Sequence, residues 1–271
     1  MATHLENRSI PDADPAGSAF REARIAILPL TRRVRNVLAG RTVVDSTAGL
    51  ILLERDHLPV YYFPVEDIDS ELLVASDKRT TCPYKGEASY WSLVVGDRHV
   101  ADAMWGYETR FDGAPDLRGY RAFYWNKLDH WYEEDEEVFV HARDPFKRVD
   151  ALRSSRHVRI EIDGTEFADT RRPTLVFETG IATRYYIPSA DVRLDLLRRS
   201  DKVTRCPYKG QASYYTAVVG DRVVDDIAWA YMAPIPEIPK IEQLIAFFDE
   251  HVDVWVDGEL QERPVSAWSK R

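Results

Sequence analysis

Short apolar runs, broken every few positions by Gly, Pro or charge, dominate the chain. Val34 to Leu38, Arg41 to Asp45, Leu50 to Glu54 and Val60 to Phe63 are rich in Val, Leu and Tyr and read as strands. Ala88 to Val95, then Gly96-Asp97, then Arg98 to Met104 predicts a hairpin, because a Gly-Asp pair suits a tight turn that needs positive φ. Ala212 to Val219, Gly220-Asp221 and Arg222 to Ile227 predict another. Arg121 to Trp125 and Val138 to His141 are further strands. Helical patterning is confined to short pieces, Asp67 to Val74 and Lys240 to Leu244. Strands do not alternate with long amphipathic helices, which argues against a parallel doubly wound sheet. The expected fold is mainly β.

The pattern also repeats. Cys82-Pro83-Tyr84-Lys85-Gly86 recurs as Cys206-Pro207-Tyr208-Lys209-Gly210, an offset of 124 residues. The same offset aligns Val34-Arg35 with Val158-Arg159, Glu54 with Glu178, and Tyr61-Tyr62 with Tyr185-Tyr186. It also pairs Trp105 and Tyr107 with Trp229 and Tyr231, and Asp129 and Trp131 with Asp253 and Trp255. This period far exceeds the ~20–50 residues of a solenoid. It implies two tandem homologous small antiparallel β domains, over 34–141 and 158–263. A linker is expected over 142–157, an N-terminal arm over 1–33 and a C-terminal tail over 264–271. Met1 to Gly17 are expected to be mobile, with Phe20 to Leu30 docking as a short helix or arm.

Composition removes several classes of function. Of 271 residues, 36 are Lys or Arg and 45 are Asp or Glu, a formal charge of −9, so phosphate attraction is weak and no nucleic-acid partner is expected. No apolar run approaches the roughly 20 residues of a membrane span. Ile25 to Leu30 is shorter than the ~7–15 apolar residues of a secretory signal. Two cysteines make no disulfide framework, and the expected compartment is the cytoplasm.

Cys-Pro-Tyr-Lys-Gly is the sharpest local motif. It reads as a turn, with Pro presetting φ and Gly supplying a positive φ. The same turn would hold a thiol, a phenol and an ammonium at a pocket rim. A neighbouring Lys lowers a thiol pKa, and the thiolate is the nucleophile. Around it stands an aromatic set that serves as core or as pocket lining. The candidate binding residues are Tyr62, Cys82, Tyr84, Lys85, Tyr90, Trp105 and Tyr107 in the first copy. In the second they are Arg184, Tyr186, Cys206, Tyr208, Lys209, Tyr214, Trp229 and Tyr231. Tyr61 and Tyr62 point to opposite sheet faces, one to the core and the other a candidate lining residue. Glu54 and Glu178 end apolar strands and read as buried ion-pair partners of an Arg, with Arg184 near in the second copy. Glu133 to Glu137 reads as a solvated turn, a magnesium site being the alternative. No His recurs at the offset and each copy has one Cys, so neither a metal nor a cofactor is expected. No phosphate-binding loop, dinucleotide fingerprint or nucleophile elbow is present.

At Cys82 to Trp91, Trp105-Gly106-Tyr107 and Asp253 to Glu259 the chain resembles the family catalogued as domain of unknown function 427. Its tandem arrangement is similar to that of the two-copy bacterial members. The resemblance implies a β-tent-like domain, a group that includes methionine-R-sulfoxide reductase B and the thalidomide-binding domain of cereblon. Many of that group hold zinc through Cys-x-x-Cys pairs, which this sequence lacks. The family is also labelled nucleotidyltransferase-like. That chemistry needs magnesium-binding acids beside a phosphate loop, and neither is visible.

Three functions compete. One is a module binding a small organic ligand in an aromatic pocket beside each Cys-Pro-Tyr-Lys-Gly turn. Another is an enzyme using Cys82 or Cys206 with the adjacent Lys. The third is a protein-interaction scaffold, including a homo-oligomer. Val60 against Arg184, Glu87 against Gln211 and Trp91 against Tyr215 predict that the two pockets differ.

Overall fold

A computed structural model describes residues 24–270. Two units divide the chain, Met1–Ala142 and Arg143–Arg271. The first carries β1 (Ile25–Pro29), β2 (Val34–Leu38), β3 (Arg41–Ser46), β4 (Leu50–Glu54), β5 (Val60–Pro64), β6 (Leu73–Cys82), β7 (Gly86–Val95), β8 (Arg98–Tyr107), β9 (Tyr120–Phe123), β10 (His130–Glu133) and β11 (Glu136–Glu137). Seven of these form an antiparallel sheet in the order β1-β4-β5-β9-β8-β7-β6, and four form a second, β11-β10-β2-β3.

The second unit repeats this order with β12 (Val149–Arg153), β13 (Val158–Ile162), β14 (Thr165–Thr170), β15 (Thr174–Glu178), β16 (Ile181–Tyr186), β17 (Leu197–Cys206), β18 (Gly210–Val219), β19 (Arg222–Pro234), β20 (Ile245–Phe247), β21 (Asp253–Val256) and β22 (Glu259–Leu260). Its larger sheet is split into β12-β15-β16 and β17-β18-β19-β20. The halves meet through one bridge, in which Ile187 and Ile245 exchange backbone hydrogen bonds of 2.8 and 2.9 Å. The fold is mainly β, with two tandem antiparallel domains.

Alternation places the cores. β2 and β13 bury every second residue, as a strand with one covered face does. In the first unit Tyr61, Phe63, Met104 and Phe123 pack with Val34, Leu38 and Val44 between the two sheets. The opposite face of the large sheet carries Tyr62, Tyr90, Tyr107 and Leu117. Tyr61 and Tyr62 therefore do point to opposite faces, and both are buried, one in each cluster.

Several local expectations are corrected. The described part of the N-terminal arm is strand β1, paired with β4. Its counterpart β12 lies in the stretch read as linker and pairs with β15. Residues 1–23 of the arm lie outside the described residues. Asp67 to Val74 forms no helix. It makes two 3-10 turns, Val65–Asp67 and Ser70–Leu72, the latter capped by Asp69, which accepts from the Glu71 amide at 3.2 Å. Lys240 to Leu244 likewise contains only the turn Pro239–Ile241. Val138 to His141 is not a strand, because Val140 sits at φ +74 and breaks the extended chain. The polar strands β6 and β17, edges of their sheets, had no apolar alternation to announce them.

The constant offset fails near the end of each copy. Trp131 lies opposite Asn36, whereas Val254, not Trp255, lies opposite the equivalent Ile160. The second copy is one residue shorter before this strand, and a one-residue slip exchanges the two faces. Trp131 consequently enters the core, while Trp255 faces Arg159 at 5.0 Å. Glu133 of the acidic run is not solvated. It is buried and accepts hydrogen bonds from Tyr61 and from Arg32 at 2.5 Å.

Asn36 is fully buried and neither atom of its side-chain amide finds a hydrogen-bond partner. An unsatisfied buried polar group costs about 1–3 kcal/mol. Asn36→Ile, which copies Ile160, is therefore expected to raise stability by about 1–2 kcal/mol in urea unfolding.

Candidate functional site

Each Cys-Pro-Tyr-Lys-Gly segment closes a hairpin, between β6 and β7 and between β17 and β18. Cys82 pairs with Gly86, and the Lys85 amide donates to the Cys82 carbonyl at 3.4 Å. Gly86 and Gly210 sit at φ +116 and +100, a region that only glycine visits freely. The turn sends its two long side chains apart. Tyr84 is 44% exposed, with the Arg24 guanidinium 4.0 Å from its ring centre, while Lys85 is buried.

The ammonium of Lys85 donates to the carboxylate of Glu54, the last residue of β4, and Lys209 donates to Glu178 at the end of β15. Both partners in both copies are about nine-tenths buried. The expected Arg partner is thus a Lys supplied by the motif itself. β4 and β7 are four places apart in the sheet, so this contact requires strong coiling of the sheet. A second cation reaches each carboxylate. Arg24 lies 3.9 Å from Glu54, and Lys147 lies 3.1 Å from Glu178.

The aromatic set forms the floor beneath this pair. Trp105 donates its indole N–H to the Tyr62 hydroxyl at 3.3 Å, and Trp229 donates to Tyr186 at 3.1 Å. Tyr90 and Thr80 share a hydrogen bond of 2.8 Å, as do Tyr214 and Thr204. Tyr124 packs on Trp105 at 4.6 Å and Phe248 on Trp229 at 4.5 Å between ring centres, contacts the sequence reading missed. Burial pushes the phenols of Tyr62, Tyr107, Tyr186 and Tyr231 well above their ordinary value. The hydroxyls of Tyr107 and Tyr231 receive no hydrogen bond among the described residues. Cys82 and Cys206 are half-buried free thiols packed beside the same floor.

In the second copy a cleft beside the turn is lined by Arg143, Lys147, Val149, Pro207, Tyr208, Ile235, Glu237 and Ile238. Tyr208 is the nominated residue that reaches it. Its hydroxyl accepts from the Asp144 amide at 2.7 Å, and burial raises its pKa to about 12. Tyr186, Tyr214, Trp229 and Tyr231 are packed in the core behind it.

Arg184 does not serve the Lys–Glu pair. Its guanidinium grips Glu250 at 2.5 and 2.8 Å, lies 3.4 Å from Asp249, and is 5.9 Å from the Trp229 ring. Burial works against ionising both acids. For Glu250 the hydrogen bonds from Arg184 and Ser266 win and hold its carboxyl at about 2. For Asp249 burial wins, and its carboxyl is pushed up to about 7. Among the described residues no His, Cys, Asp or Glu cluster is placed to hold a metal, and no helix is long and apolar enough to cross a membrane.

Two tandem β domains, each with a buried Lys–Glu pair under a Cys-Pro-Tyr-Lys-Gly hairpin, define the class. The chain matches the family described as "Domain of unknown function (DUF427)" twice, over residues 26–134 and 150–258, and belongs to that family. No curated protein matches it.

Two outcomes follow from the buried charges. Lys85→Met leaves Glu54 buried with the more distant Arg24 as its cation among the described residues, and is expected to cost about 3–5 kcal/mol. The double variant Glu54→Leu/Lys85→Met is expected to cost less than the single one in urea unfolding. A carboxyl raised from its unfolded value to about 7 binds its proton more tightly in the folded chain. Its stabilising effect is therefore complete below the unfolded pKa and is lost as pH rises towards and through 7. Asp249→Asn should raise the melting temperature more at pH 8 than at pH 4.

Proposed function

We propose that the protein is a small-molecule-binding module, with its ligand held beside the Cys-Pro-Tyr-Lys-Gly turn. The observation that carries this reading is the cleft against Tyr208 and Lys147, behind which Lys147 reaches the buried Glu178. Ile235, Ile238 and Pro207 would take an apolar body, and Lys147 and Arg143 an acceptor group. A buried ion pair is seldom stronger than an apolar replacement. Its repetition in both copies supports a role beyond stability. The nucleophilic-cysteine reading is weakened, because the ammonium needed to activate the thiol is engaged by a glutamate.

Native mass spectrometry of freshly purified protein tests this. The expected result is excess mass that vanishes on denaturation and is absent from Ile235→Trp, which fills the cleft. A native mass equal to the denatured one, with no thermal shift from any member of a metabolite panel, would favour the scaffold reading instead.

A further inference from the structure

The two copies differ most where their matching cores carry different side chains. In the first, Trp125 and Trp131 stack at 4.5 Å with an interplanar angle of 10°, and Tyr61 lies 6.3 Å from both. The Tyr61 hydroxyl donates to buried Glu133. In the second copy Asp249 stands at the position of Trp125, and the strand register puts Val254 at that of Trp131 and Val256 at that of Glu133. Both indoles and the phenol's acceptor are lost together.

A cavity opens there, lined by Thr183, Tyr185, Asp249, Val254, Gln261 and Glu262 among others. Asp249 is 5% exposed, and among the described residues its side-chain partner is Arg184, at 3.4 Å through a single oxygen. The Tyr185 hydroxyl has no partner among the described residues. A nine-tenths buried carboxylate and a half-buried phenol therefore border a space that holds two indole rings in the first copy.

The walls select the occupant. Tyr185, Val252, Val254 and Pro264 offer flat and aliphatic surface to a ring. The polar lining is Thr183, Asp249, Gln261 and Glu262, of which two are carboxylates and none is a cation. The charged neighbours are Arg184, Arg156, Glu250 and Glu262; Arg184 is bound in two places by Glu250, and Arg156, which faces Tyr185, is paired with Asp257 at 2.7 Å. Each of these two cations is thereby offset by its own carboxylate, and Asp249 and Glu262 on the cavity wall favour a cationic occupant. We propose that this cavity binds a protonated aromatic amine, its ring in the place of the first copy's indoles and its ammonium on Asp249. This site is separate from the cleft at Tyr208.

Isothermal titration of the full chain at pH 8 with tryptamine, indole and indole-3-acetate tests the assignment. Tryptamine should bind one per chain, more tightly than indole, and indole-3-acetate should not bind. Asp249→Asn should raise the Kd for tryptamine at least tenfold, and Val254→Trp, which restores an indole, should abolish binding. Near-UV circular dichroism checks that both variants are folded. If Val254→Trp fails to fold, the nearly isosteric Asp249→Asn decides. Absence of tryptamine binding to the wild-type chain, or unchanged binding in folded Asp249→Asn, would overturn the proposal.

Discussion

The contact between Lys85 and Glu54, repeated by Lys209 and Glu178, is the constraint around which each copy is arranged. Two charges withdrawn from water must meet in good geometry, or the desolvation of each goes uncompensated. That demand fixes the hairpin turn, whose glycine at positive φ lets the lysine turn inward while the tyrosine turns out. It also fixes the coil of the sheet, since the two partners come from strands that are not neighbours. The Trp–Tyr hydrogen bonds then lie beneath the pair as a rigid floor.

Duplication allowed the two copies to diverge around this shared element. In one, three aromatic rings and a buried glutamate fill the space between the sheets. In the other, an arginine and two acids stand there, and the neighbouring space is open. A single missing residue before β21 contributes, because it replaces an inward tryptophan with an inward valine. The first copy keeps an unsatisfied Asn36 where the second has Ile160, so neither copy is the better packed throughout.

Much of this was legible in the chain. The repeat, the hairpins at Gly96-Asp97 and Gly220-Asp221, and the mainly β class follow from alternation and turn residues, which act locally. Glu54 and Glu178 were legible as buried ion-pair members, because a charge ending an apolar strand must be compensated. Their partner was not legible, since pairing strands distant in the sheet is a tertiary event. β6 and β17 were missed because edge strands present both faces to solvent and lose the period-two signal.

The sequence by itself determined the number of domains, their β character and the residues of the repeated turn. These depend on periodicities of a few residues and on the identity of one segment with another. Only the tertiary structure decided which aromatic residues are floor and which border a cleft, that lysine rather than arginine neutralises the buried glutamates, and that Trp131 and Trp255 face opposite ways. Those outcomes depend on sheet coiling and strand register, where one residue more or less reverses a face, and a constant offset along the chain carries no record of it.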